Sequence, residues 1–215
     1  MKYTTILFDL DGTLLDTLDD LTDAVNRTLT RYGLPCRTRA EVRSFVGSGA
    51  KRLMELATGG AKPEAFDAIL ADYKADYAAN CRVRTAPYPG VTALLQTLAA
   101  QGYTLGIVSN KPDDAVKSLQ RDFFPNSVKV AVGETAGIRR KPAPDTLLAA
   151  LRQLGADASG AVYVGDSDVD IETARNAGIP CISVAWGFRS RDVLLAHGAK
   201  DIVDSCDELL KLLSR

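Results

Sequence analysis

Four short segments hold acidic, basic and hydroxyl side chains in patterns that can do chemistry. They are Asp9-Leu10-Asp11-Gly12-Thr13, Ser109-Asn110-Lys111, Arg139-Arg140-Lys141-Pro142 and Gly165-Asp166-Ser167-Asp168-Val169-Asp170. Asp9 and Asp11 are two apart on extended chain, which sends both carboxylates to one side. Two carboxylates so close cannot both stay charged and bare. Asp166 and Asp170, four apart where a helix begins, share one face. A cluster this acidic calls for a hard cation, and oxygen-only ligation favours Mg²⁺. Lys141 adds a second positive charge. Any single aspartate has a plainer assignment as a helix N-cap or turn residue; the four segments together are far more specific than one. The single histidine, His197, is expected on a surface helix, so a His-based triad or multi-His metal site is excluded and proton transfer falls to other groups.

The elements that must position these segments are legible as apolar runs. Runs at 4–8, 103–108, 128–132, 161–164, 181–184 and 202–203 lack polar alternation, as strands buried on both faces do. Helical patterns at 91–101, 113–123, 144–154, 170–177 and 207–213 lie between or after them, several ending at Gly102, Gly155 or Gly178. This alternation predicts an α/β fold, a doubly wound, Rossmann-like, mainly parallel sheet with right-handed crossovers. Ligands of such sheets bind beyond the carboxyl ends of the strands, where the four segments fall. From 16 to 84 no strand is expected, only helical periods at 18–32, 38–45, 50–57 and 63–80. That is too long for a loop, so it predicts an inserted all-α domain. The chain then divides into an α/β core at 1–16 and 84–215 and a helical domain at 17–83, with hinges near 16–18 and the Pro/Gly-rich 85–90.

Composition narrows the function. With 26 Lys+Arg against 27 Asp+Glu in 215 residues, the net charge of −1 gives no electrostatic grip on nucleic acid. A 46% hydrophobic and 25% charged chain is ordinary for a globular protein. No apolar run reaches the roughly 20 residues that span a bilayer. The first apolar run meets Asp9 and Asp11 too soon for a signal peptide. The expectation is a cytoplasmic monomer or homodimer with no nucleic-acid or membrane partner. Cys36, Cys81, Cys181 and Cys206 are far apart and are expected to be small buried or half-buried hydrophobes.

Asp9-Leu10-Asp11-Gly12-Thr13 resembles the first motif of the haloacid dehalogenase-like phosphohydrolases. Ser109, Lys141 and Gly165-Asp166-Ser167-Asp168-Val169-Asp170 match that family's other three in order and spacing. The helical insertion after the first motif is similar to the family's first type of cap domain, so the resemblance covers essentially the whole chain. It implies that Asp9 is a nucleophile that becomes an aspartyl-phosphate. Asp11 would protonate the leaving oxygen and then deprotonate the attacking water. Thr13 would brace the loop at the substrate, Ser109 and the Asn110 N–H would hold phosphoryl oxygens, and Lys141 would offset negative charge. Mg²⁺ would be bound by Asp9, the Asp11 carbonyl and Asp166, with Asp170 behind them. For Asp168, helix capping is the alternative. Asp11 also argues against dehalogenation, since the family's dehalogenases lack this second aspartate.

The cap usually chooses the substrate in this family. Val46-Gly47-Ser48-Gly49-Ala50-Lys51-Arg52-Leu53 opens a helix with two glycines and a serine, and its free N–H groups could cradle an anion. Capping by Ser48 beside two solvated cations is the plainer reading. The segment resembles the same region of phosphoglycolate phosphatases. A small, 2-phosphoglycolate-like monoester is therefore expected, its carboxylate near Ser48, Gly49 and Lys51. The alternatives are a β-phosphoglucomutase-type mutase, whose Arg/Lys clamp is not evident here, and a small-cap pyrophosphatase. A non-enzymatic binding module would predict an eroded catalytic position, and none is missing.

Overall fold

In the computed structural model, which describes residues 3–59 and 63–214, the apolar runs form parallel strands. The strands are β1 (Thr5–Phe8), β2 (Leu15–Asp16), β3 (Ala86–Pro87), β4 (Thr104–Pro112), β5 (Val130–Glu134), β6 (Ala161–Gly165), β7 (Cys181–Val184) and β8 (Asp201–Val203). Six of them build one sheet in the order β5-β4-β1-β6-β7-β8, while β2 and β3 pair separately. Every pairing of the large sheet is parallel. Parallel neighbours need long crossovers, and helices supply them. Four helices follow β2 with no strand between them: α1 (Leu18–Arg31), α2 (Arg39–Phe45), α3 (Gly49–Thr58) and α4 (Pro63–Asn80). Then come α5 (Val91–Ala100), α6 (Asp113–Phe123), α7 (Asp145–Leu154), α8 (Asp168–Ala177), α9 (Arg191–Ala196) and α10 (Cys206–Leu213).

All four residues of β1 are buried. Leu7 packs with Val108 and Tyr163 of its neighbours and with Leu147, Leu151 and Ala174 from α7 and α8. Ile6 and Phe8 point to the other face and are also fully buried. The doubly wound architecture expected from sequence is therefore the one observed.

Local chemistry explains the departures from expectation. α8 starts two residues early because Ser167 and Asp170 form a reciprocal capping box. The capping alternative considered for Asp168 thus belongs to Ser167, with Asp170 completing the box. The surface helix expected at His197 is α9, which at 6 residues is too short to show a period of its own. Exposed His197 is its C-cap residue rather than part of a helix. Cys36 is exposed, contrary to expectation, because it lies in the connector between α1 and α2, with its sulfur 3.5 Å from Thr30 Oγ1. Cys81 is buried, and Cys181 and Cys206 are half-buried.

The chain divides into two compact units, Met1–Leu15 with Pro87–Arg215, and Asp16–Ala86. Within the helical unit α1 is central, touching α2, α3 and α4. Its Asp20, 2% exposed, accepts the backbone N–H groups of Arg84 and Thr85 and the Thr85 hydroxyl at 2.8–3.1 Å. Among the described residues no helix is long and apolar enough to cross a membrane.

Candidate active site

Topology decides where the chemistry gathers. From β1 the chain proceeds to β4 on one side of it, and from β6 to β7 on the other, so the crevice between β1 and β6 is the switch point of the sheet. Phe8 pairs with Val164, and the Asp9 N–H donates to the Val164 carbonyl at 2.8 Å. That register brings Asp9 beside the end of β6 and the residues that follow it. Carboxylate oxygens of Asp9, Asp166 and Asp170, all buried, lie within 4.8 Å of one another.

Lys141 arrives from the segment after β5 and is 3% exposed. Its Nζ lies 2.7 Å from Asp170 Oδ1, 2.9 Å from the Tyr163 hydroxyl and 2.9 Å from Asp9 Oδ1. The approach to Asp9 is an ion pair without hydrogen-bond alignment, so Asp9 Oδ1 has no aligned donor. Asp170 is the opposite case. Its Oδ1 takes Lys141 and its Oδ2 takes the N–H and hydroxyl of Ser167, at 3.1 and 2.6 Å. Asn110 ties this segment to β4, accepting the Lys141 N–H and donating to the Lys141 carbonyl at 2.8 and 3.0 Å.

Burial pushes Asp9 well above the usual carboxylate range; Lys141 opposes this, while Asp170 and Asp166 add to it. Burial and the charge of Asp170 push Asp166 up to about 7, against the Phe188 N–H and Thr13 hydroxyl that stabilise its ionised form. Burial alone would lower Lys141, but Asp170 and Asp9 outweigh it and keep the side chain cationic. Three enclosed carboxyl groups stand together, two of them on one ammonium, and one oxygen lacks an aligned donor. A divalent cation with a taste for oxygen fits that donor set.

Sequence reasoning missed the loop after β7. The Trp186 indole N–H donates to the Thr13 carbonyl at 3.0 Å, and the Phe188 N–H donates to Asp166 Oδ2 at 2.7 Å. Thr13 Oγ1 donates to the other Asp166 oxygen at 3.1 Å. Gly187 lies between: a Cβ there would stand 2.3 Å from Asp166 Cβ and 2.5 Å from the Gly12 carbonyl. Gly12 is equally constrained, with φ +88° and a would-be Cβ 2.4 Å from Asp166 Oδ2. Only glycine at both positions lets the two loops close on one carboxylate. A glycine between aromatic residues after a strand was the available signal, but it carries no charge to mark it.

Asp11 turns to a partner of its own. Its oxygens lie 2.7 and 2.9 Å from Lys111 Nζ, and its carboxylate is outside the cluster of three; in the expected ligand set it enters by its backbone carbonyl. Ser109 is buried, and its Oγ accepts the Lys111 N–H at 3.3 Å. Asp168 pairs with Arg189 at 3.0 Å, also apart from the cluster. Ser48, Gly49 and Lys51 belong to the helical unit. There Ser48 is the N-cap residue of α3 but makes no side-chain cap bond, Gly49 has φ +82°, and Lys51 is exposed. Capping by the Ser48 side chain, the plainer reading of that segment, is not realised.

A family model for haloacid dehalogenase-like hydrolases matches residues 6–184. The chain belongs to the haloacid dehalogenase-like hydrolases. Within that family it is similar to phosphoglycolate phosphatase of Rhodospirillum rubrum, 37% identical over 93% of this chain and 86% of the relative. It is 35% identical to N-acetylmuramic acid 6-phosphate phosphatase of Pseudomonas aeruginosa, over 100% of this chain and 96% of the relative. A candidate phosphoglycolate phosphatase of Lactobacillus delbrueckii subsp. bulgaricus has a crystal structure that matches with a TM-score of 0.92, at 38% identity and 99% coverage of both chains. CbbY of Rhodobacter sphaeroides, solved with phosphate, matches with a TM-score of 0.81, at 27% identity and 96% coverage of both.

Proposed function

We propose that this hydrolase is a phosphatase that cleaves a small, 2-phosphoglycolate-like phosphate monoester through an aspartyl-phosphate on Asp9. The observation that carries the reading is the enclosed Asp9–Asp166–Asp170 group around Lys141. In the first step an Asp9 oxygen bonds to phosphorus while the ester P–O bond breaks, and Asp11 gives its proton to the departing oxygen. In the second, Asp11 takes a proton from water, the water oxygen bonds to phosphorus, and Asp9 leaves as carboxylate. Lys141 offsets the charge gathered on Asp9 and the phosphoryl group, and Ser109 with the Asn110 N–H would receive phosphoryl oxygens. Mg²⁺, held by Asp9, Asp166 and the Asp11 carbonyl, would supply further charge neutralisation at the transferring group. Asp170 is not a direct ligand on this reading: with both oxygens on protein donors, it orients Lys141 and caps α8.

The helical unit would select the substrate, with Ser48, Gly49 and Lys51 as its candidate binding residues. Both relatives' names denote phosphate esters of carboxylic acids, which supports a carboxylate there. The sugar-acid phosphate is thus the second reading. The proposed setting is the cytoplasm and the proposed substrate a small metabolite. Purified protein with Mg²⁺ should release phosphate faster from 2-phosphoglycolate or N-acetylmuramic acid 6-phosphate than from a neutral sugar phosphate or pyrophosphate. Equal rates on a neutral ester of similar size would defeat the carboxylate reading, and turnover surviving in Asp9→Asn would defeat the mechanism.

A further inference from the structure

Lys111 stands in the second motif without a part in the chemistry above. Its side chain is only 3% exposed, and its ammonium spans both Asp11 oxygens at 2.7 and 2.9 Å. Enclosing a lysine this far is unfavourable unless a partner compensates, so the pairing is a built feature. Lys111 leaves β4 where the register with β5 shifts between Val108 and Pro112, and its N–H is held by Ser109 Oγ. The arm that carries the ammonium is thus anchored to the sheet. Asp11, by contrast, stands beyond the end of β1, in the loop turned by Gly12.

We propose that Lys111 is a positioning residue for Asp11, holding the plane of its carboxyl group in line with the departing ester oxygen. This rests on the reading of Asp11 as the acid. In the step concerned, the proton passes from Asp11 to the ester oxygen as the P–O bond to it breaks, and Lys111 remains an ammonium throughout. Misplacing a reacting group by about 1 Å can cost on the order of 100-fold in rate.

The leaving group separates this role from a merely structural one. Nitrophenolate departs as a stable anion, whereas an alkoxide must receive a proton. Lys111→Met should therefore lower the first-turnover rate of alcohol release from 2-phosphoglycolate by about 10- to 100-fold with KM little changed, yet lower the first-turnover rate of nitrophenolate release by no more than about threefold; both are read before the water step, which the two esters share. In an Asp11→Asn background the same substitution should add no further loss. Lys111→Gln, which keeps a donor of neutral charge, provides the measurement if the Met variant melts at a much lower temperature. An equal loss on both esters, or an additive loss in the Asp11→Asn background, overturns the positioning role. If Asp11→Asn itself slows the first turnover of both esters alike, the acid reading falls first and this inference falls with it.

Discussion

Two buried aspartates, one in each unit, put burial to opposite use. Asp20 in the helical unit is 2% exposed and Asp9 in the core is 7% exposed. Asp20 receives two backbone N–H groups and a hydroxyl, so nothing about it asks for another ligand. It ties the returning chain at Arg84–Thr85 to α1. Asp9 has an oxygen with no aligned donor, two acidic neighbours, and an affinity for its proton raised by burial. A carboxylate saturated by neutral donors serves structure; one enclosed and left short of donors serves chemistry, at a cost in stability.

Substitution can break or sharpen that contrast, and the largest effect should fall on Asp9. Asp9→Asn should bring phosphate release down to the uncatalysed background, while the melting temperature of the metal-free protein stays level or rises. A fall of several degrees would mean that Asp9 is a structural carboxylate after all. Asp20→Ala should do the reverse. It leaves the Thr85 donors buried and unpaired, which costs about 1–3 kcal/mol by denaturant unfolding. Mg²⁺ affinity measured by calorimetry should not change; a loss of affinity would join what the contrast separates.

A smaller effect should appear in the pH dependence of the metal-free protein. A carboxyl raised from 3.8 to about 7, as Asp166 is, holds its proton more tightly folded than unfolded. Its contribution to stability is complete below 3.8 and is lost as pH rises through about 7, and Asp9 acts in the same direction. Melting temperatures without metal should therefore decline across that window, and saturating Mg²⁺ should flatten or reverse the slope. A metal-free protein that grows more stable from pH 5 to 7.5 would contradict the assignment. Least of all should follow from a pair at the surface of the helical unit, with Arg27 exposed and Asp76 half-buried. Arg27, 44% exposed, meets Asp76 at 2.7 Å, and Arg27→Ala should cost below about 1 kcal/mol.

Much of this was legible in the chain because the signals were local. Unbroken apolar runs marked the central strands, and their polar ends marked Asp9, Ser109 and Asp166. The strand-free stretch with helical periods marked the inserted helices. What escaped depends on contacts between residues far apart in sequence. Trp186 reaches a carbonyl 173 positions away, and Tyr163 lies inside an apolar strand yet meets Lys141 through its hydroxyl. Lys111 sits where a register shift redirects the strand, which no alternation of residues reveals. Asp170 was read for its charge, but its first duty is at the N-terminus of α8.

The hydrogen bond from Trp186 to the loop of Asp11 and Thr13 has an optical consequence. The chain contains one tryptophan, so all indole emission comes from this spot. The unlabelled protein carries its own probe on the Thr13 carbonyl, and a change in its colour or quenching on adding Mg²⁺ or phosphate would report their arrival without any assay of turnover.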